Sequence, residues 1–147
     1  MRTADKLLAI EEIKTLKARY FRLNDEKNWE DWLKLFTPDV TAEFPDDQPD
    51  APPLRGAQNF VEATKALVGP ARSVHHGHNP EIDVLTPTTA RGIWSAQYWL
   101  EWPMEGPHPF GVRNMTAWAR YYETYSKSAE GWRIASLVIR RQKVDQY

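Results

Sequence analysis

Apolar residues recur at three- and four-residue spacing through the first part of the chain: Leu7, Ile10, Ile13, Leu16 or Lys17, Tyr20 and Leu23. That period predicts one amphipathic helix over residues 3–23, with Glu11, Glu12, Lys14, Arg19 and Arg22 on its solvated face. Thr3 is the candidate N-cap, although Lys6 stands where a capping box would place glutamate. Asn24-Asp25-Glu26-Lys27-Asn28 breaks the period. Asn28 can cap a second short helix from Trp29 to Phe36, which Thr37-Pro38-Asp39 stops. Val40 to Phe44 alternates as a short strand does. Residues 45–56 carry four prolines and three aspartates and read as a solvent loop. Phe60, Ala63 or Thr64, and Leu67 mark a third helix from about Ala57 to Val68, ended by Gly69-Pro70.

Beyond that point the period changes. Arg72 to Leu85, Thr89 to Trp102, Phe110 to Tyr125 and Trp132 to Val144 are rich in β-branched and aromatic residues. Their connections are short, except for a Pro/Gly-rich stretch between Trp102 and Gly111. Strands of this length exceed the usual five or six residues or so and favour a strongly bent sheet. Helices first and a meander after predict an α+β fold with helices on one face of a mainly antiparallel sheet. No repeat, low-complexity tract or linker divides residues 1–147, so one domain is expected.

Composition narrows the function classes. The chain has 147 residues, 27% of them charged, and a net charge of -1, with no basic block of the kind a nucleic-acid surface needs. There is no cysteine, which removes thiolate chemistry, disulfides and Cys-ligated zinc together. No apolar run reaches the ~18 residues that span a bilayer, and no signal-peptide pattern opens the chain, so a cytoplasmic protein is the expectation. Flavin, nicotinamide and phosphate-loop motifs are missing, and no cofactor is expected. Seven Trp, six Tyr and five Phe are a surplus that predicts a large apolar pocket or aromatic interfaces.

Three of the four histidines lie in one stretch, Ser73 to Ile82. On a strand, His75, Gly77 and Asn79 share one face, and His76 and His78 the other. Two histidines at that spacing can ligate zinc, but no third ligand stands at a metal-site spacing. The expectation is one pocket histidine and no metal.

The order and spacing of several short motifs resemble the SnoaL-like proteins of the nuclear transport factor 2-like superfamily. They are Ala9 to Lys14 with Tyr20, Asn24 to Trp29, Leu35 to Val40, Val74 to Ile82, Thr88 to Gly92 and Gly131 to Ile134. The resemblance implies helices packed in the concave face of a curved sheet, an α+β cone with a deep pocket. Members include polyketide cyclases, scytalone dehydratase and hexachlorocyclohexane dehydrochlorinase, so the fold alone does not fix a reaction. In the two lyases a strand histidine and a helix-end aspartate form a dyad, which carries over to His75 and Asp25. A neutral imidazole suits proton abstraction near neutral pH, and a carboxylate on its other nitrogen fixes the tautomer. Asp25 is expected at a loop position that aims inward.

Tyr20 lies one turn before Asp25, where its hydroxyl could bond a substrate oxygen; Asn79 is the other candidate. Asn24, Phe44 and Trp118 stand where scytalone dehydratase has two tyrosines and a second histidine. That argues against its reaction and for a more apolar pocket. Phe36, Phe44, Asn79, Trp94, Tyr98 and Trp118 are the candidate substrate contacts, although alternation does not say which strand row lines the cone. Arg140 and Arg141 fall on opposite faces of the last strand; a solvated face is the expected place for them, with entry of one into the pocket as an anion anchor the alternative.

The reading is therefore a lyase, isomerase or cyclase for a hydrophobic cyclic or aromatic molecule. The alternative is a non-catalytic ligand-binding or assembly subunit, like the small subunit of ring-hydroxylating dioxygenases. In either case a homodimer or trimer through the open sheet face is expected.

Overall fold

The computed structural model describes residues 1–147. Three helices, α1 (Thr3–Asp25), α2 (Trp29–Leu33) and α3 (Ala57–Val68), pack on a sheet of six strands. The strands are β1 (Phe36–Glu43), β2 (Leu54–Arg55), β3 (Arg72–Thr86), β4 (Thr89–Glu101), β5 (Asn114–Ser128) and β6 (Gly131–Gln146). Their order is β2-β1-β6-β5-β4-β3. The pairs are antiparallel except for β1 with β6, which run parallel. The architecture is the expected α+β cone.

Burial alternates along the strands as a one-sided sheet requires. Trp94, Ala96, Tyr98 and Leu100 of β4 are buried beside Met115, Ala117, Ala119, Tyr121, Glu123 and Tyr125 of β5. This row faces the helices and joins one continuous core. The other row, with Ile93, Trp99, Trp118 and Tyr122, lies on the face no helix covers. Trp32 anchors the base of the core. It is fully buried, packs against Tyr20, Phe36 and Phe60, and donates its indole N–H to the Tyr20 carbonyl at 2.9 Å.

Several boundaries differ from the sequence expectation for physical reasons. Thr3 does not cap α1; Arg2 holds the N-cap position without a side-chain cap and bonds Asp5 instead. Leu7 leaves the apolar stripe and is 58% exposed. Leu16 and Lys17 are both buried, and Lys17 pairs with Glu123 of β5. Asn28 caps α2 as expected, accepting from the Asp31 N–H, but α2 ends at Leu33. Phe36 opens β1, and Pro38 falls where β1 and β6 slip register between Phe36 and Thr41. A proline lacks the ladder donor, so it sits where pairing is interrupted. Strand β5 begins at Asn114 rather than Phe110.

The end of α1 places the site. Lys27 adopts a left-handed conformation, φ 60°. Its N–H bonds the Asn24 carbonyl, and the Asn28 N–H bonds the Leu23 carbonyl. This is the Schellman arrangement, with lysine where glycine is usual. Asp25 is thus the last residue of the helix, not a loop residue. Its side chain leaves the final turn toward β3, the strand at the sheet edge.

Candidate functional site

Asp25 meets β3 through three donors. His75 Nδ1 lies 2.6 Å from Asp25 Oδ1, and Ser73 Oγ donates to the same oxygen at 2.8 Å. The His75 backbone N–H donates to Asp25 Oδ2 at 2.8 Å. Lys27 Nζ donates to Ser73 Oγ at 2.8 Å, completing a chain from the helix cap to the carboxylate. A carboxylate facing Nδ1 places the imidazole proton there and leaves Nε2 with its lone pair free. Burial works to raise the Asp25 pKa, but the bonds from the His75 ring, the His75 backbone and Ser73 outweigh it and hold the carboxyl below its ordinary 3.8. Burial lowers the Lys27 pKa against the attraction of Asp25.

Two rings hold the imidazole. Phe21 stacks on one side, centroids 5.7 Å apart at 14°. Tyr98 lies on it at 5.3 Å and 29°. Phe21 can come this close because residue 77 is glycine. A Cβ there would sit 2.4 Å from the Phe21 ring. Tyr98 is itself fixed, since Arg141 Nε donates to its hydroxyl at 2.9 Å. Arg141 Nη1 reaches Asp47 at 2.6 Å, and its backbone N–H donates to Asp46 at 2.8 Å. The proline-rich loop is thereby tied to the last strand. Arg141 is not on the solvated face expected for it. Its side chain is 14% exposed and turned to the helix side.

The dyad opens on a groove of about 810 Å³ between α1 and β3. Ala18, Phe21, Val74, Pro80 and Trp94 give it apolar wall, and Lys14, Arg22, Glu26, His76 and His78 make its margins charged and polar. The sequence predicts a deep, mainly apolar pocket. The groove is open because β3 is an edge strand that only α1 flanks, and long charged side chains of the helix rim it. On the inner side of α1, Tyr20 is 4% exposed and meets Tyr121 edge-on at 6.0 Å. Burial and the charge of Glu123 raise the Tyr20 pKa well above its ordinary value, so the phenol stays a proton donor. Burial raises that of Tyr121 in the same way. Asn24 is buried with its amide oxygen unpartnered.

The structure gathers part of the sequence-predicted set. Asp25, His75, Trp94 and Tyr98 come together, with Tyr20 on the core side of the same helix. Phe36 is 2% exposed and committed to the cluster with Trp32 and Phe60. Phe44 packs on Phe60 at the far end of the sheet. Asn79 is exposed in a left-handed bulge, φ 48°, between paired His78 and Glu81. Trp118 lies on the uncovered face beneath Lys143, 4.8 Å away. His76 and His78, expected on the face away from the pocket, stand with His75 along the groove, because β3 is an edge strand that the groove wraps around; no third ligating side chain joins them. Sequence reasoning missed Phe21, Ser73, Lys27 and Arg141. Only the i, i+4 spacing of Phe21 and Asp25 was there to be read.

A family model described as SnoaL-like domain matches residues 5–138. Similar solved structures include a protein provisionally named scytalone dehydratase from Novosphingobium aromaticivorans, 18% identical, with a TM-score of 0.85 over 99% of this chain and 92% of its own. A hexachlorocyclohexane dehydrochlorinase from Novosphingobium barchaimii is 15% identical, with a TM-score of 0.80 over 99% and 94%. The Kfla4162 protein from Kribbella flavida is 18% identical, with a TM-score of 0.82 over 95% of each chain. At these identities the likeness is one of fold.

Two measurements check the geometry. Gly77→Ala drives Phe21 off its seat and lowers stability by about 1–3 kcal/mol, as overpacking does, read from urea unfolding. Asp25→Asn loses about 1.5–3 kcal/mol at neutral pH, the worth of bonds to a charged group. Because the native pKa is depressed, the Asp25 contribution is full above 3.8 and disappears as the pH falls through the native value. The stability gap between wild type and Asp25→Asn therefore closes in acid, and a gap that widens there contradicts the assignment.

Proposed function

The chain belongs to the SnoaL-like family, and from that premise we propose that it is a cofactor-independent lyase, isomerase or cyclase acting on a cyclic, largely apolar small molecule that carries a carbonyl. One observation carries the reading: His75 is bonded through Nδ1 to a carboxylate held by two further donors, with Nε2 left free beside the groove. In this mechanism Nε2 takes a proton from the carbon next to the carbonyl. Asp25 holds the tautomer and stabilises the imidazolium that forms. Negative charge then grows on the substrate oxygen; Tyr20, the donor expected from the sequence, lies outside the groove lining and serves the core instead. Collapse of the enolate expels a β-hydroxyl, moves a double bond or attacks a second carbonyl. The open groove and intact dyad favour chemistry over a passive binding role.

The test is proton exchange in D2O across a panel of cyclic ketones and β-hydroxy ketones, followed by NMR. A substrate found this way should lose turnover by about 10²–10⁴-fold in His75→Ala, with circular dichroism unchanged. Retained exchange in folded His75→Ala sinks the mechanism.

The uncovered sheet face, with Trp99, Trp118 and Tyr122 among its residues, supports the further proposal of a homodimer or trimer. Light scattering should give a multiple of 17.1 kDa, and a monomer mass refutes it.

A further inference from the structure

Lys17 and Glu123 are both fully buried and bonded to each other, and the proposed chemistry uses neither. Glu123 is rigidly held. Tyr125 donates its hydroxyl to Glu123 Oε2 at 2.5 Å and accepts from Trp94 Nε1 at 2.9 Å. The ammonium of Lys17 sits over three rings, 3.8 Å from the centroid of Tyr20, 4.0 Å from Tyr121 and 4.7 Å from Phe21.

We propose that this pair is the positioning element for the Asp25–His75 contact, fixing how far along and around its axis α1 lies on the sheet. The catalytic consequence rests on the function proposed above; the structural content does not. Lys17, Phe21 and Asp25 fall at i, i+4 and i+8, one line down the helix. Pinning Lys17 to β5 therefore sets where Phe21 and Asp25 land on β3. Phe21 stacks on His75 and abuts Gly77, and Asp25 meets the imidazole at 2.6 Å. An apolar stripe tolerates sliding, because burial is non-directional. A dry, hydrogen-bonded ion pair does not. Stability alone is a poor reason to keep one, since apolar replacements of matching volume are often neutral or stabilising. Burial lowers the Lys17 pKa to about 8 against the pull of Glu123, so the amine remains mostly charged near neutral pH.

The experiment reads the dyad without substrate. The hydrogen-bonded Nδ1 proton of His75 gives a low-field proton NMR signal, assigned by its absence in His75→Gln, and the His75 backbone amide exchanges slowly. The double variant Lys17→Met with Glu123→Leu should stay folded, with a melting temperature near or above wild type. Its Nδ1 signal should vanish, and its His75 amide should exchange at least ~10-fold faster, the size of effect expected when local opening becomes easier. Glu123→Gln keeps one amide oxygen for Lys17 and turns its NH2 to the Tyr125 oxygen, reversing that bond; the cross-sheet tether survives and both signals should be retained. If the double variant does not fold, Lys17→Met, which leaves Glu123 its Tyr125 donor, is read the same way. Unchanged signals in the folded apolar variant overturn the inference, as does their loss in folded Glu123→Gln. A wild type with the Nδ1 signal but no turnover counts against the function and leaves this inference standing.

Discussion

The site depends on one joint, the carboxylate of Asp25 closing the end of α1 onto the edge strand β3. Three donors from β3 converge on it, two from His75 and one from Ser73. A helix end and a sheet edge are both places where backbone and side-chain groups lack regular partners. Each satisfies the other here. The lysine at the helix C′ position shows what the joint costs. A left-handed non-glycine residue is unfavourable by about 1–2 kcal/mol, and glycine would relieve that. Lys27 instead carries an ammonium back to Ser73, extending the network that holds Asp25.

Under the proposed mechanism the chain around that joint solves two opposed problems. A proton-abstracting histidine needs a free ring nitrogen with access to substrate, and it needs a partner that does not move. Access comes from placing it on an edge strand flanked by a single helix, which leaves the groove open. Immobility comes from stacking it between Phe21 and Tyr98 and fastening both rings elsewhere. Phe21 is fastened through its seat against Gly77 and the Lys17 cage, and Tyr98 through Arg141, Asp46 and Asp47. The imidazole is thus held by fastened rings, while long charged side chains of α1 rim the groove it opens on. A passive binding module has no need of this division, because a ligand in an apolar slot does not require one ring nitrogen to be oriented.

How much of this was legible in the sequence follows the range of each interaction. The long strands and most of the helix stripe are local periodicities and read correctly; alternation alone did not show that at an edge strand His76 and His78 reach the same groove as His75. Asp25 and His75 are far apart in sequence, and their pairing came from resemblance to known lyases rather than from any spacing. Lys17 was ambiguous beside Leu16, since no local pattern says that a glutamate waits across the sheet. Arg141 read as solvated for the same reason, its aspartates lying in a loop about 95 residues earlier. Trp118 was misplaced because period two separates two faces without saying which one the helices cover. Phe36 was read as helical because its burial fits either period when an apolar run is short.

Of the two uses composition suggested for the aromatic surplus, a large apolar pocket is not the one the rings serve. Trp32, Phe36 and Phe60 fill the base of the core, Trp118 and Trp99 lie on the uncovered face, and Phe21 and Tyr98 clamp an imidazole. Few of the rings line the groove. What they supply is stiffness, since a flat side chain with two torsions holds a neighbour in place at small entropic cost. Polar chemistry then works inside that frame. Tyr20 and Tyr121 keep their protons because burial forbids the phenolate, and Lys17 keeps its charge because Glu123 is fixed opposite it. In this chain aromatic packing serves to make a few ionisable groups immobile, which is the condition under which a single histidine can act as a base of defined direction.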